Sequence, residues 1–315
     1  MSPRHTLMPA LVVLAACLLS AASVWATPLV IDGQQQLQYA DRLYAEGQFR
    51  RAAEEYDRYA FFFPESPLRR TALLKAAQAF LQADEPSAAL KRFNALTQET
   101  PPDPVAVDAH FLAAECHVRA GDPNLAVIEM QNLITRTDDR AIRDSAYLRI
   151  GWIHIDQMDW SGARHALQRI SPEGRARHKV EALEAELARA DEIPRKSPAL
   201  AGTLSILPGA GQLYCGRYED ALAALAVNGG LFLAAYESFD NDLNALGALL
   251  TIAGLGFYTA NIYGAVTDAH KYNQARQQDF LGRVKQQASI GIGPGPSPHS
   301  KSISEGFLVA VRIDF

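Results

Sequence analysis

The chain is poor in the residues that make chemistry. Its 315 residues hold three cysteines, and one of these, Cys17, lies in an apolar run near the N-terminus. Cys116 and Cys215 remain. One pair without a framework of further cysteines does not define a disulfide, even where export permits one, so the two read as separate thiols. A basic excess is also missing: 30 Lys and Arg against 35 Asp and Glu give a net charge of -5, which argues against a nucleic-acid binder. There is no Gly-x-Ser-x-Gly elbow and no phosphate loop ending in Gly-Lys-Ser/Thr. "GAG" at 209–211 lacks the third glycine of a dinucleotide fingerprint. His110 and His117 are two turns apart in one segment, not four residues apart, and no acid or thiolate completes a ligand set. Cys116 is beside His117, but adjacent residues of a helix point in different directions. Carboxylates are plentiful and fall on exposed helix faces. No catalytic residue, metal, cofactor or small-molecule substrate is expected.

Bulk composition, 48% apolar and 21% charged, is ordinary for a globular chain long enough for two modest domains. The average hides a split. Residues 30–195 are rich in Arg, Glu, Asp and Ala, whereas residues 203–266 carry few charges. The N-terminus reads as an export signal over residues 1–26: "MSPRH" is a short basic start, an apolar core follows, and "VWA" precedes Thr27 with small or tolerable residues at the cleavage positions. "LAAC", Leu14 to Cys17, also fits a lipobox, so Cys17 is an alternative acceptor for lipid. Either way the mature chain is exported.

A repeat dominates residues 27–191. Ala52, Ala89, Ala126 and Ala163 stand 37 apart; four residues on come Tyr56, Phe93, Met130 and Leu167, and three further Tyr59, Leu96, Leu133 and Ile170. This i, i+4, i+7 pattern is one apolar helix face, with a small residue that lets a neighbouring helix approach closely. Asp122-Pro123 and Pro86 mark helix starts. Pro64 and Pro101, again 37 apart, close two units. Each unit has an upstream partner helix, so about four helical hairpins are expected. "GRARHKVEALEAELARA", with Val180, Leu183 and Leu187 on one side, reads as a capping helix.

The small-residue slots Ala40, Ala77, Ala114 and Gly151, the turn residues Gly47 and Gly121, the second-helix Ala series and the closing prolines resemble the tetratricopeptide repeat, over roughly residues 34–172. "YDRYAFFFPESPLRRTALLKAAQAFL", Tyr56 to Leu81, resembles the first repeats of the BamD-type outer-membrane-assembly lipoproteins and of the Tol-Pal-associated YbgF-type proteins. The resemblance implies a groove lined by the first helix of each hairpin: Leu37, Asp41 and Tyr44; Leu74, Gln78 and Leu81; Phe111, Glu115 and Val118; Leu148, Trp152 and Ile155. Such a groove cradles an extended peptide or a helix of a protein partner. The alternative is that the chain fills it with its own helix.

Residues 192–202, with Pro194 and Pro198, read as a linker. A glycine elbow follows, Pro208, Gly209, Gly211, Gln212, Tyr214 and Gly216, then two apolar stretches, Ala221 to Tyr236 and Ala245 to Val266. Over about residues 200–275 this resembles a poorly characterised bacterial module with a Pro-Gly-x-Gly-Gln-x-Tyr-x-Gly elbow and paired apolar helices. The pair, within residues 203–286, reads as a membrane-associated helical hairpin, with Asn228 and Asn261 turned toward the partner helix. Its acidic tip, Glu237, Asp240 and Asp242, opposes the positive-inside tendency if the repeats are exported, so either the pair does not span the inner membrane, or it is packed on protein, or it associates with the outer membrane. Residues 287–315 end in "GFLVAVRIDF", which alternates with period two and reads as a short β ribbon.

The expected fold is mainly α: a tetratricopeptide-like helical-hairpin solenoid, an apolar helical hairpin and a short C-terminal β ribbon. The expected function is a non-enzymatic cell-envelope scaffold or adaptor, exported, periplasmic and membrane-associated, that binds a protein partner through its repeats. The alternatives are an accessory subunit of an envelope export or polysaccharide machine, and an enzyme with an unrecognised site between the modules.

Overall fold

The computed structural model describes residues 32–98 and 101–291, with side chains as far as residue 287. The chain divides into two units, Met1–Ala83 and Asp84–Phe315. In the first, α1 (Gly33–Ala45), α2 (Phe49–Phe62) and α3 (Arg69–Gln82) pack successively on one another. In the second, α4 (Pro86–Leu96), α5 (Pro104–Arg119), α6 (Pro123–Arg136), α7 (Arg140–Asp156) and α8 (Trp160–Leu167) do the same. The helices start where the sequence supplies caps. Asp103 Oδ1 accepts from the Ala106 amide at 2.7 Å and Asp139 Oδ1 from the Ala141 amide at 2.7 Å, satisfying donors that a helix start leaves free. Pro86, Pro104 and Pro123 occupy first helical positions, where the missing N–H is no loss.

The 37-residue period is a packing period. Ala52, Ala89, Ala126 and Ala163 are fully buried, and so are Phe93, Met130 and Leu167, with Tyr56 nearly so. The slots Ala40, Ala77 and Ala114 are likewise buried, as is Gly151. The turns repeat as well. Gly47, Asp84, Gly121 and Met158, each 37 residues on, all have positive φ (75°, 59°, 84° and 58°). Three of them donate from the backbone into the helix just ended, for example Gly121 N to Val118 O at 3.0 Å, with Asp122 N to His117 O at 2.9 Å. This is the left-handed helix stop, here made by glycine twice and by Asp and Met at the other two positions.

Beyond the repeats come α9 (Pro172–His178), α10 (Val180–Ala188), a single 3₁₀ turn (Arg189–Glu192), α11 (Pro198–Leu204), α12 (Ala210–Tyr214), α13 (Tyr218–Asp240) and α14 (Asn244–Gly291). Three expectations are corrected. The capping helix is two helices, because Lys179 takes φ 51° between α9 and α10. The linker at 192–202 contains the start of α11: Ser197 caps it, accepting from the Leu200 amide at 3.2 Å, and Pro198 sits at its first position, so this proline opens a helix instead of breaking the chain. The second apolar stretch and the polar segment after it are one uninterrupted helix, α14. Residues 287–291 are its last turn and not part of a ribbon; among the described residues there is no strand. The remainder of the proposed ribbon, 292–315, and the export signal, 1–26, lie outside the described residues.

Candidate functional site

In the first unit, the inner-face positions Leu74 and Leu81 are buried, while Leu37 and Tyr44 are half-buried. Asp41 accepts from Lys75 Nζ at 2.7 Å and from the Tyr56 hydroxyl. Burial and the neighbouring Asp41 carboxylate push the Tyr56 phenol far above its ordinary range.

In the second unit, Phe111 and Val118 of α5 are half-buried against a core that includes Val107, Ala114, Met130, Ile150 and Ile153. Between them Glu115 pairs with Arg119, 3.0 Å away, and with Arg149 of α7. Burial alone would raise the Glu115 carboxyl, but Arg149 and Arg119 together outweigh it and hold it below its ordinary range. The two ion pairs are related by the repeat: Asp41 to Glu115 and Lys75 to Arg149 are both 74 residues, two periods. Sequence reading placed the acids on this face and missed the cations that answer them.

The last repeat is different. Leu148, Trp152 and Ile155 are all buried, in one cluster with Trp160, Val180, Leu183, Leu187, Phe280 and Val284. Thus the last turns of α14 share a core with the inner-face residues of α7. The Phe280 ring meets Trp160 edge-on, with centroids 4.9 Å apart, and Lys285 Nζ lies 3.0 Å from Asp156 Oδ1. At this repeat the inner-face residues lie in a core that the chain itself completes, with Val180, Leu183 and Leu187 of α10 and with Phe280 and Val284 of α14.

The elbow is built on close backbone approach. A Cβ at Gly211 would stand 2.0 Å from Ser205 Oγ and 2.3 Å from Ala201 O; one at Gly209, where φ is 87°, would stand 2.3 Å from Ala221 O. Asn261 of α14 is its polar hub. Asn261 Nδ2 donates to Ser205 O at 3.0 Å, its Oδ1 accepts from the Gly209 amide at 3.3 Å, and its carbonyl accepts from Gln212 Nε2 at 3.0 Å. So Asn261 serves the elbow backbone and not α13, while Asn228 donates to Ala224 O within its own helix at 2.8 Å. Tyr214 donates nothing to the apolar pair: its hydroxyl accepts from the Ser197 amide at 3.0 Å, and its ring lies 4.5 Å under Lys196 Nζ. Asn273 grips Lys196 from both sides, N to Oδ1 at 2.7 Å and Nδ2 to O at 2.8 Å. Pro208 precedes the left-handed Gly209, and Gly216, at φ 82°, ends α12 as Gly121 ends α5.

From the elbow, α13 and the first half of α14 run side by side and are long and apolar enough to cross a membrane. Most of their surface is exposed: Leu222 is 68% and Ile252 70% exposed. Both Cys116 and Cys215 are free and buried. Burial pushes the Cys116 thiol up to about 11, which makes it a poor nucleophile. Among the described residues no three His, Cys, Asp or Glu side chains gather as a metal site.

The family model for the tetratricopeptide repeat matches residues 37–104 and again residues 74–141. The two windows start 37 residues apart, the period of the buried alanines. Residues 37–141 thus match the tetratricopeptide-repeat model. This array of helical hairpins is of a type that mediates protein–protein interaction. The α7–α8 pair continues the same ladder of buried Ala163, Leu167 and Ile170 beyond the matched tetratricopeptide residues. The comparison with curated proteins returned no match.

Proposed function

We propose that this protein is a non-enzymatic scaffold of the cell envelope, exported, binding a protein partner through its tetratricopeptide repeats and held at a membrane by α13 and α14. The observation that carries the reading is the continuity of α14. Its first half exposes Leu246, Leu249, Ile252, Leu255 and Phe257, and its last turns bury Phe280 and Val284 in the repeat core. A contiguous apolar surface of this extent marks an interaction site. A lipid bilayer suits its dimensions: the 23 residues of α13 span about 35 Å at 1.5 Å per residue, against a hydrocarbon core of about 30 Å. The signal-like N-terminus and the resemblance of Tyr56–Leu81 to periplasmic assembly proteins support the envelope placement.

Fractionation of cells expressing the full chain tests the anchor. The protein is expected in the membrane pellet after washing with high salt and with alkali, and in the supernatant only after detergent. A chain that is fully soluble without detergent would show that α13 and α14 are covered by protein. A photo-crosslinking residue at Val118 tests the partner. It should capture one discrete protein in intact cells, and Phe111→Ala should weaken that capture without loss of helix content, since large aromatic side chains dominate such interfaces.

A further inference from the structure

We propose that the inner groove of the last repeat is a helix-binding site held closed in cis by the final turns of α14, and that it opens to a partner helix. The partner is an amphipathic helix with an aromatic residue, an apolar residue four positions on, and a side chain that accepts a hydrogen bond. This rests on the scaffold reading above and adds how that surface is gated.

The first ground is what sits in the groove. Phe280 and Val284, at i and i+4 of α14, are 0% and 1% exposed and share one buried cluster with Leu148, Trp152, Ile155 and Trp160, the Phe280 ring meeting that of Trp160. The groove is thus seen occupied by a helix, and the spacing of its anchors is that of helix-in-groove recognition. The second ground is what the occupant fails to supply. Trp152 and Trp160 are 9% and 7% exposed, and neither indole N–H has an acceptor among the described residues. Buried indole N–H groups ordinarily find a partner. The described residues of the docked segment offer these donors nothing, so a helix bringing a carboxylate or amide oxygen there binds better than α14 does. The third ground is how the segment is held. Beyond Phe280, Leu281 and Val284, residues 270–287 are mostly polar, "HKYNQARQQDFLGRVKQQ", and a helix of this composition is compatible with water once released. Its ion pair, Lys285 with Asp156, is partly exposed on both sides, where such pairs contribute little.

The test needs no knowledge of the partner. A fluorescent peptide of residues 273–287 is titrated against the full chain in detergent micelles, and binding is read by anisotropy. The wild-type chain, closed in cis, should bind weakly. The Phe280→Ala/Val284→Ala chain should bind the wild-type peptide about tenfold more tightly or better, because a larger fraction of its grooves is open. Adding Trp160→Ala should remove that gain. If the double variant binds the peptide no better than wild type does, the proposal is overturned. Should that variant fail to fold, hydrogen exchange on the wild-type chain decides. Amides of 277–287 are expected to exchange at least about tenfold faster than those of 107–118, as a locally opening segment does. Equal protection would make α14 a permanent part of the core and overturn the gate. In that case capture at Val118 would be unaffected, so the scaffold reading would stand or fall separately.

Discussion

Gly211 and Gly216 lie five residues apart and do different work. A Cβ at Gly211 meets backbone and side-chain atoms at 2.0–2.6 Å, whereas one at Gly216 meets nothing within 4 Å and only the φ of 82° opposes it. The two penalties therefore separate steric closure from backbone conformation. Gly211→Ala must push α11 away from α12 and α14, and should cost about 3 kcal/mol, the upper range for overpacking. Gly216→Ala should cost roughly 1 kcal/mol, the price of a left-handed non-glycine residue. Thermal melts of the two variants in the same detergent check this, and equal losses would mean that the close approach at Gly211 relaxes freely. Asp84 and Met158 make the point from the other side. The fold accepts a non-glycine residue at two of its four left-handed repeat turns, and at the other two, Gly47 and Gly121, a Cβ would meet nothing within 4 Å.

Helices set the electrostatics of the inner face. Glu115 on α5 answers both Arg119 on its own helix and Arg149 on α7, so the pair ties two successive first helices together. Its carboxyl is held below the ordinary value of 4.5. A group depressed in the folded state contributes stability that is complete above its unfolded pKa and is lost as pH falls through the folded one. Glu115→Gln should therefore remove part of the acid limb of a pH–stability profile while leaving its shape at neutral pH. Arg149→Ala should weaken the depression, because burial, the largest influence on Glu115, would then be opposed by Arg119 alone. That variant should be destabilised at neutral pH and recover relative to wild type as the carboxyl protonates. Denaturant unfolding at a series of pH values distinguishes the two. Helix ends carry a second lesson at this scale. Pro198 marks a start because Ser197 caps the helix in front of it, while Lys179 splits what reads as one helix by taking a left-handed turn that no glycine advertises.

At the scale of the molecule, α14 is the long member. Its 48 residues extend about 70 Å at 1.5 Å per residue. One row of its side chains, Asn261, Ala265, Ala269 and Asn273, serves the elbow region, and Phe280 and Val284 continue into the last repeat. A fragment of residues 27–195 should therefore be soluble and helical, yet less stable than the repeats of the full chain. Losing two buried apolar side chains should cost it roughly 2–3 kcal/mol at α7 and α8, seen as faster hydrogen exchange there than in the same helices of the intact protein.

The sequence by itself determined the repeats. A buried face at i, i+4 and i+7 is written within one helix, and its recurrence at 37 residues is written in the chain, so Ala52, Ala89, Ala126 and Ala163 could be placed without coordinates. The glycine crowding at 209–216 marked the elbow for the same local reason. What covers each face was decided by tertiary structure. Phe280 is 120 residues from Trp160, Asn273 is 77 from Lys196, and Asn261 is 52 from Gly209. Periodicity states that a face is apolar and not which surface removes it from water. The polar appearance of residues 270–287 hid a docking element because two anchors four residues apart are enough to bury one side of a helix. Only contacts across such separations turned the groove of the last repeat from an open expectation into an occupied site.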